Sequence, residues 1–404
     1  MTSGSERSLE AINAKIAAPA NQKDLSRVTH AYDWLKDASL DFLNPTPPVL
    51  TWTSLPLTTQ ADDSNAFDVF PAAAGLPWPT GFPRARQNRH WRVGLKTSTA
   101  ALEAFVNSTD MSRLVRAADG RSLADVAARH LKVAEEDRFT KFPTYLWPEA
   151  DEERTKLLAT AMVLAFVFDD LWEAHDEQEL STIRDDFIRR LEGGGSEDHS
   201  NRTDLQALID SVVSGFKQQD SIAGNGGHEV IARVIDFSKH IPPQGEFKTL
   251  DEYLSYRYVD VAAPFLIYGA KFSISSSVRI DDPKLAKITK LAGDHISLAN
   301  DLASFDKELR EFEQGELRNL VNAVNIIRKL FGLQSWSSAK AFAYAMQCEL
   351  ETQIKGEVEH LEATGALDAE EWRFVKALLI MLAGNVFYSM IASRYGGEEA
   401  KLPA

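Results

Sequence analysis

The distribution of proline along the chain constrains the fold most, because proline removes a backbone donor and breaks helices. Eight of the 16 prolines lie between Pro45 and Pro83, and only seven come later. We therefore expect residues 1–95 to form an irregular N-terminal extension with one or two short helices, for example at residues 8–16. The long proline-free stretches of residues 96–404 instead predict a helical domain.

Apolar residues in the second part recur at three- and four-residue spacing, which is typical of one face of an amphipathic helix. One such stripe consists of Trp372, Val375, Leu379, Leu382 and Val386. No stretch alternates convincingly with a period of two over the length of a strand, and no internal repeat is visible. The sequence thus predicts an all-α protein with roughly ten helices after residue 95.

The charge of the chain restricts its partners. With 44 basic and 59 acidic residues the net charge is −15, so we expect neither nucleic acid nor an anionic membrane surface to bind. The start of the chain lacks an apolar signal core, and the longest apolar run, residues 161–168, is too short to span a bilayer. We expect a cytoplasmic protein, as a monomer or homodimer. Its one cysteine excludes an intrachain disulfide.

An acidic cluster follows a buried-looking helix. Residues 162–168 are apolar on every face, and Asp169, Asp170 and Glu173 come directly after them. Asp169 and Glu173 share a helix face, so their carboxylates repel each other unless protons or a hard divalent cation neutralise them. Carboxylate oxygen suits magnesium. A solvated helix end is the alternative interpretation.

A second polar set lies further along the chain. Asn300, Ser304 and Glu308 are spaced by four residues, which places three oxygen ligands in one line over about 12 Å of a helix. Such a set suits one magnesium ion that keeps positions open for substrate oxygens. Lys307 adds a neighbouring cation.

The nine residues 300–308 resemble, without a gap, the Asn-Asp-x-x-Ser-x-x-Lys-Glu metal motif of class I terpene synthases. The segment Asp169-Asp170-x-x-Glu173 looks like the aspartate-rich motif of the same family, in the same order along the chain. The resemblance implies the α-helical bundle of class I terpenoid synthases, three magnesium ions and an isoprenyl diphosphate substrate. The proline-rich extension is similar to that of fungal-type enzymes.

The family also has a diphosphate-sensing arginine on a helix that breaks just after an aspartate. Residues 256–261 resemble that element, with Arg257 as sensor, Asp260 as linker and Val261 at the break. Pro264 gives a physical reason for a break, because it cannot donate to the preceding turn.

The closing segment of the family is similar to residues 384–395. The resemblance implies that Arg394 and Tyr395 donate hydrogen bonds to the diphosphate, with Arg257 and Lys307 completing the anion site. Many relatives have tryptophan where this chain has Tyr388.

The resemblance implies that departure of the diphosphate leaves an allylic carbocation. Such a cation needs aromatic faces, whose negative quadrupole attracts it. We name Phe142, Phe166 and Tyr388 for this role by their position relative to the motifs, with Phe168 and Trp172 as weaker candidates.

Taken together, these motifs favour a magnesium-dependent sesquiterpene synthase of secondary metabolism, a carbon–oxygen lyase that acts on farnesyl diphosphate. Geranylgeranyl diphosphate is the second candidate substrate. A non-catalytic all-helical interaction protein is the alternative from a different class. Residues 279–282 lack the first aspartate of a class II cyclase motif, and chain-elongating enzymes carry a second aspartate-rich motif where this chain has Asn300.

Overall fold

The computed structural model describes residues 65–74, 76, 78–108, 111–112, 122–135, 138–172, 177–193, 202–223, 226–241, 243, 245–315, 317 and 319–396. The helix expected at residues 8–16 and the candidate ligand Glu173 lie outside these ranges.

The described part of the N-terminal extension contains a hairpin that the sequence did not predict. Strand β1 (Ala66–Val69) pairs antiparallel with β2 (Ala85–Asn88), with Ala66 opposite Asn88. Between the strands lies one 3-10 turn, Ala72–Ala74. Four residues are too few for alternation with a period of two to be recognised.

The remainder of the described chain is helical, as the sequence predicted, and the all-α class is confirmed. The first helix begins at Trp91, slightly before the expected boundary at residue 96. The helices are α1 (Trp91–Asn107), α2 (Leu123–Lys132), α3 (Phe142–Leu146), α4 (Glu152–Trp172), α5 (Glu177–Leu191), α6 (Asp204–Ala223), α7 (Gly227–Ser238), α8 (Leu250–Asp260), α9 (Ala263–Ser273), α10 (Ala286–Glu313), α11 (Ala323–Leu330), α12 (Trp336–Thr364), α13 (Ala369–Ile391) and α14 (Ser393–Gly396). A 3-10 turn, Phe139–Lys141, precedes α3.

Helix α13 lies in the core, against α10, α9 and α3. It begins with a capping box, in which the Asp368 carboxylate accepts from the amides of Glu370 and Glu371 while Glu371 accepts from the Asp368 amide. By length and composition α13 could cross a membrane, with a mean hydropathy of 1.8 in its most apolar window. In the structure 89% of that window is buried inside the protein, as in a core helix.

Close packing of α13 against α3 depends on Gly384. A Cβ atom at this position would lie 2.0 Å from the carbonyl oxygen of Tyr145, so no other residue fits without moving a backbone. The contact fixes α13 relative to the short helix that carries Phe142.

A segment that we call the strap, residues 78–82, joins the extension to the helices. Its anchor is Glu351 on α12, which is fully buried and accepts from the Thr80 hydroxyl (2.5 Å) and the Gly81 amide (2.7 Å). The Gln347 amide donates to the same carboxylate (3.3 Å), and the Nε2 atom of His295 on α10 lies 3.1 Å from it. The strap is thereby connected to two central helices.

Candidate active site

The three candidate ligands of the second motif lie along one face of α10, as their spacing predicted. Ser304 is 2% exposed, and its hydroxyl has no partner within the described part of the chain. The Asn300 amide oxygen and the Glu308 carboxylate are partly buried on either side of it. An amide, a carboxylate and an orphaned buried hydroxyl form an oxygen donor set that fits a divalent cation such as magnesium.

Arg257 on α8 lies beside this face. Its guanidinium donates to the Asn300 amide oxygen (3.0 Å) and to the Asp301 carboxylate (2.9 Å), and it pairs with Asp260. Burial lowers the pKa of Arg257, but Asp301 and Asp260 outweigh it and raise that pKa well above its ordinary value. A permanent cation is therefore positioned next to the candidate metal ligands.

Asp301 follows Asn300 in the motif and shares Arg257 with it, but its other partners lie on α8 and α11. It is fully buried and accepts from the Tyr253 hydroxyl, from Arg257 and from the Ala323 amide at the start of α11 (2.9 Å). Burial raises its pKa to about 6 in spite of Arg257. Asp301 thus joins α8, α10 and α11 and does not lie on the ligand face.

The predicted helix break lies where expected. Helix α8 ends at Asp260, Val261 is its C-terminal cap, and Ala262 has a left-handed conformation with φ of 56°. Pro264 occupies the first turn of α9. A non-glycine residue at positive φ is strained, and such strain is concentrated at functional sites.

Asn322 was missed by the sequence analysis. It is fully buried, and its amide nitrogen donates to the Glu308 carboxylate (2.9 Å) and to the Asp301 carbonyl (2.9 Å). Its side-chain oxygen caps α11 by accepting from the Val324 amide. Asn322 therefore orients a candidate ligand from outside the motif. It lies too far from Glu308 along the chain for a local sequence pattern to indicate the contact.

The C-terminal candidates also reach this site. Tyr395 is buried, and its hydroxyl lies 3.3 Å from the Asn300 amide nitrogen, which donates to it. Arg394 is half-buried, with its guanidinium 5.7 Å from the centre of the Phe166 ring. Lys307, by contrast, donates to Glu311 one turn on (2.7 Å), and its role at the anion site stays a prediction.

The three aromatic candidates lie together. The Phe142 ring centre is 4.2 Å from that of Tyr388 and 6.2 Å from that of Phe166. Phe139, which the sequence analysis did not single out, stacks on Phe166 at 4.8 Å. We call these four rings the aromatic cluster. One of its members, Phe166, lies within reach of the Arg394 guanidinium, at a distance at which an aromatic face attracts a cation.

The aspartate-rich motif is only partly described. Asp169 and Asp170 are in the last turn of α4, behind the buried residues Met162 and Val167, but their side chains, like those of Phe168 and Trp172, are outside the description. Among the side chains that the structure does describe, no three from His, Cys, Asp and Glu are grouped to hold a metal. The aspartate-rich side of a metal site stays a prediction.

Comparison with known proteins identifies relatives of this arrangement. Residues 160–351 match a family model described as "Terpene synthase family 2, C-terminal metal binding". Terpene cyclase 6 of Gibberella fujikuroi is 29% identical over 356 residues, which cover 86% of this chain and 90% of the relative. A cyclopiane-type diterpene synthase of Penicillium chrysogenum is 28% identical over 267 residues, or 63% of this chain and 34% of that longer protein.

The fold has a solved counterpart. The crystal structure of aristolochene synthase from Penicillium roqueforti superposes with a TM-score of 0.57 at 19% identity, over 74% of this chain and 94% of that one. The likeness shows a shared helical architecture. The matched family region contains Asn300, Ser304 and Glu308, and the family description implies that a divalent metal binds there.

Proposed function

We propose that the chain is a class I terpene cyclase that ionises farnesyl diphosphate and closes the resulting carbocation to a sesquiterpene. The match of residues 160–351 to the terpene synthase family model and the similarity to Terpene cyclase 6 support this proposal. The observation that carries the proposal is the line of Asn300, Ser304 and Glu308 beside the partly buried, permanently charged Arg257. The line supplies oxygen ligands, and the arginine supplies a cation for the substrate diphosphate.

Magnesium would be held by two groups of residues. The residues that would hold three ions are Asp169, Asp170, Glu173, Asn300, Ser304 and Glu308. When bound, these ions would supply positive charge that neutralises the departing diphosphate.

Side chains of the protein would bind and orient the substrate diphosphate. Arg257 and Tyr395 both bond to Asn300, and the Arg394 guanidinium lies over the Phe166 ring. These three residues would donate to diphosphate oxygens and orient the leaving group. Lys307 is the further cation proposed for this site. Val261 and Asp260 connect the sensing arginine to the left-handed break at Ala262.

The aromatic cluster would hold the carbocation. Phe142, Phe166 and Tyr388 present electron-rich faces within a few ångströms of each other, and Phe142 and Tyr388 are buried. Cation–π attraction is strongest where water is excluded, so the same rings stabilise the cation and keep bulk water from quenching it.

The length of the isoprenoid chain is the finer part of the proposal. Farnesyl diphosphate is the first candidate substrate, because the chain resembles fungal-type sesquiterpene synthases in its motifs. The diterpene synthase among the relatives supports geranylgeranyl diphosphate as the second candidate. Incubation with magnesium and, separately, geranyl, farnesyl, geranylgeranyl and geranylfarnesyl diphosphate, followed by analysis of extracted terpenes, distinguishes them.

Site variants test the reaction itself. Asn300→Ala and Glu308→Ala should abolish turnover while the helical circular dichroism is unchanged, and excess chelator should do the same to the wild type. Asn325→Ala is a matched control, because Asn325 is a buried asparagine whose amide nitrogen donates to the Leu320 carbonyl outside the site. Full activity of Asn300→Ala, or in chelator, refutes the metal-dependent mechanism. No product from any of the four substrates would favour the non-catalytic helical protein.

A further inference from the structure

Three buried polar groups on α13 have no partner. Asn385, Tyr388 and Ser389 are each 1% exposed, yet the Asn385 Nδ2, the Tyr388 hydroxyl and the Ser389 Oγ make no hydrogen bond within the described ranges. Buried polar groups in folded proteins are nearly always hydrogen-bonded, because an unpaired buried group destabilises the fold. Three unpaired buried polar groups on one helix therefore indicate that a ligand binds to them.

The three groups share one face, which we call the polar face. Positions 385, 388 and 389 are related by three and four residues and so lie side by side on a helix. The neighbouring positions Gly384 and Phe387 instead contact Tyr145, at its backbone oxygen and at its ring respectively. The polar face thus points away from the contact that fixes α13 to the Tyr145 end of α3.

This face adjoins the candidate active site. The Tyr388 ring lies 4.2 Å from that of Phe142 and 6.2 Å from that of Tyr395, and Tyr395 is bonded to Asn300. Through Tyr388, the polar face therefore adjoins both the aromatic cluster and Tyr395, one of the residues proposed to bind diphosphate.

The chemistry of the three groups identifies the ligand class. The Asn385 nitrogen donates only, whereas the two hydroxyls both donate and accept. A hydrocarbon chain offers no acceptor for these three donors. A water molecule offers one, because it makes two to four hydrogen bonds in buried sites. Burial also raises the pKa of the Tyr388 phenol, so this group is neutral and retains its proton.

We propose that Asn385, Tyr388 and Ser389 hold one water molecule that captures the carbocation, so that the chain makes a cyclic terpene alcohol. The inference rests on the proposed function. A lone pair of the water oxygen forms the new C–O bond to the cationic carbon. One O–H bond of the resulting oxonium then breaks, its electron pair stays on oxygen, and the proton goes to the diphosphate released by ionisation.

A bound water is compatible with a dry chamber. It is fixed at one wall, next to Tyr388, so it reacts only when cyclisation has brought positive charge to that wall. The Phe139 and Phe142 rings are themselves buried, so the aromatic cluster around Tyr388 limits the access of further water.

Isotope labelling tests the source of the oxygen. The full chain is incubated with magnesium and farnesyl or geranylgeranyl diphosphate in water enriched in oxygen-18, and the products are separated by gas chromatography and mass spectrometry. We expect a cyclic alcohol that carries the heavy isotope. A heat-denatured sample controls for linear alcohols formed by solvolysis. Cyclic hydrocarbons alone, or an unlabelled alcohol, would overturn the inference and leave the proposed function standing; no cyclic product at all would end both.

Variants locate the water. Ser389→Ala and Tyr388→Phe each remove one hydroxyl with little change in volume, and each should lower the ratio of cyclic alcohol to cyclic hydrocarbon about two- to tenfold, as for the loss of one hydrogen bond. Ser238→Ala removes a buried hydroxyl that bonds to the Val234 carbonyl on α7, and should leave the ratio unchanged. Circular dichroism establishes that each variant is folded, and the labelling of the wild type stands without them. An unchanged ratio in a folded variant of either polar-face hydroxyl shows that the polar face does not hold the water.

Discussion

Asn322 shows how strongly a candidate metal ligand can depend on a residue outside its motif. One amide nitrogen bridges the Glu308 carboxylate and the Asp301 carbonyl, so it fixes both the ligand and the helix that carries it. Residues that orient metal ligands in this way typically contribute 10- to 100-fold to metal affinity.

Asn322→Ala should therefore raise the magnesium concentration needed for half-maximal turnover by about tenfold or more. Magnesium titration of product formation measures this shift. Asn325→Ala provides the comparison, because Asn325 is also buried near the start of α11 but bonds to Leu320. Equal magnesium dependence in the two variants would contradict the role assigned to Asn322.

Asp260 should make stability depend on pH in the acidic range. Burial alone would raise its pKa, but Arg257, with help from His240 and Tyr256, lowers it from 3.8 to about 2. The folded pKa is below the unfolded one, so the ionised group stabilises the fold above pH 4, and this contribution is lost as the pH falls toward 2.

Asp260→Asn should consequently lower the free energy of unfolding by about 2 kcal/mol at pH 7, and roughly half of that difference should be gone by pH 3. Urea unfolding of both proteins between pH 7 and pH 3 measures it. A difference that is constant with pH would mean that the lost stability comes from packing and not from charge.

At the scale of elements, the strap depends on a single carboxylate. Glu351→Ala would leave the Thr80 hydroxyl, the Gly81 amide and the Gln347 amide without their shared acceptor. We expect a loss of about 3 kcal/mol in the free energy of unfolding. Glu349→Ala, an exposed glutamate two residues away, should change it by less than about 0.5 kcal/mol. Similar values in the two variants would show that the strap is not anchored by Glu351.

The sequence predicted the helices because their stripes are long, and it predicted the line of Asn300, Ser304 and Glu308 because four-residue spacing puts side chains on one face. The break after Asp260 was predicted from Pro264. The sequence did not predict the contacts between elements that are far apart along the chain.

Two residues of the site and one hairpin outside it illustrate this limit. Asp301 is the residue next to Asn300, yet it bonds to Tyr253 on α8. Tyr253 is too far away along the chain for a local sequence pattern to indicate this partner. Asn322 reaches Glu308 from the cap of another helix. The hairpin of Ala66–Val69 and Ala85–Asn88 is specified by pairing across intervening residues and not by periodicity.

For the whole molecule, a net charge of −15 must be reconciled with an anionic substrate. Cationic side chains can offset the negative charge of the proposed diphosphate only in part, because the charge of Arg257 already balances the carboxylates of Asp260 and Asp301. Metal and diphosphate should therefore bind cooperatively, each lowering the electrostatic cost of the other.

Magnesium together with inorganic diphosphate should raise the thermal midpoint by a few degrees, since a ligand at a hundred times its Kd adds about 2.7 kcal/mol. Either component alone should have a smaller effect, and Asn300→Ala should lose the joint effect. Differential scanning calorimetry provides the measurement. Additive shifts from the two components would contradict the shared site.

The glycine contact between α13 and α3 also restricts how such a protein can diversify. Because a side chain at position 384 would clash with the Tyr145 carbonyl oxygen, we expect α13 and α3 to keep their relative position while the side chains around them change. The distance between Phe142 and Tyr388 is inherited with the scaffold, and new products must arise by exchange of wall side chains on fixed backbones. Laboratory evolution of this enzyme should accordingly accumulate substitutions at 142, 166, 385, 388 and 389 while Gly384 stays constant.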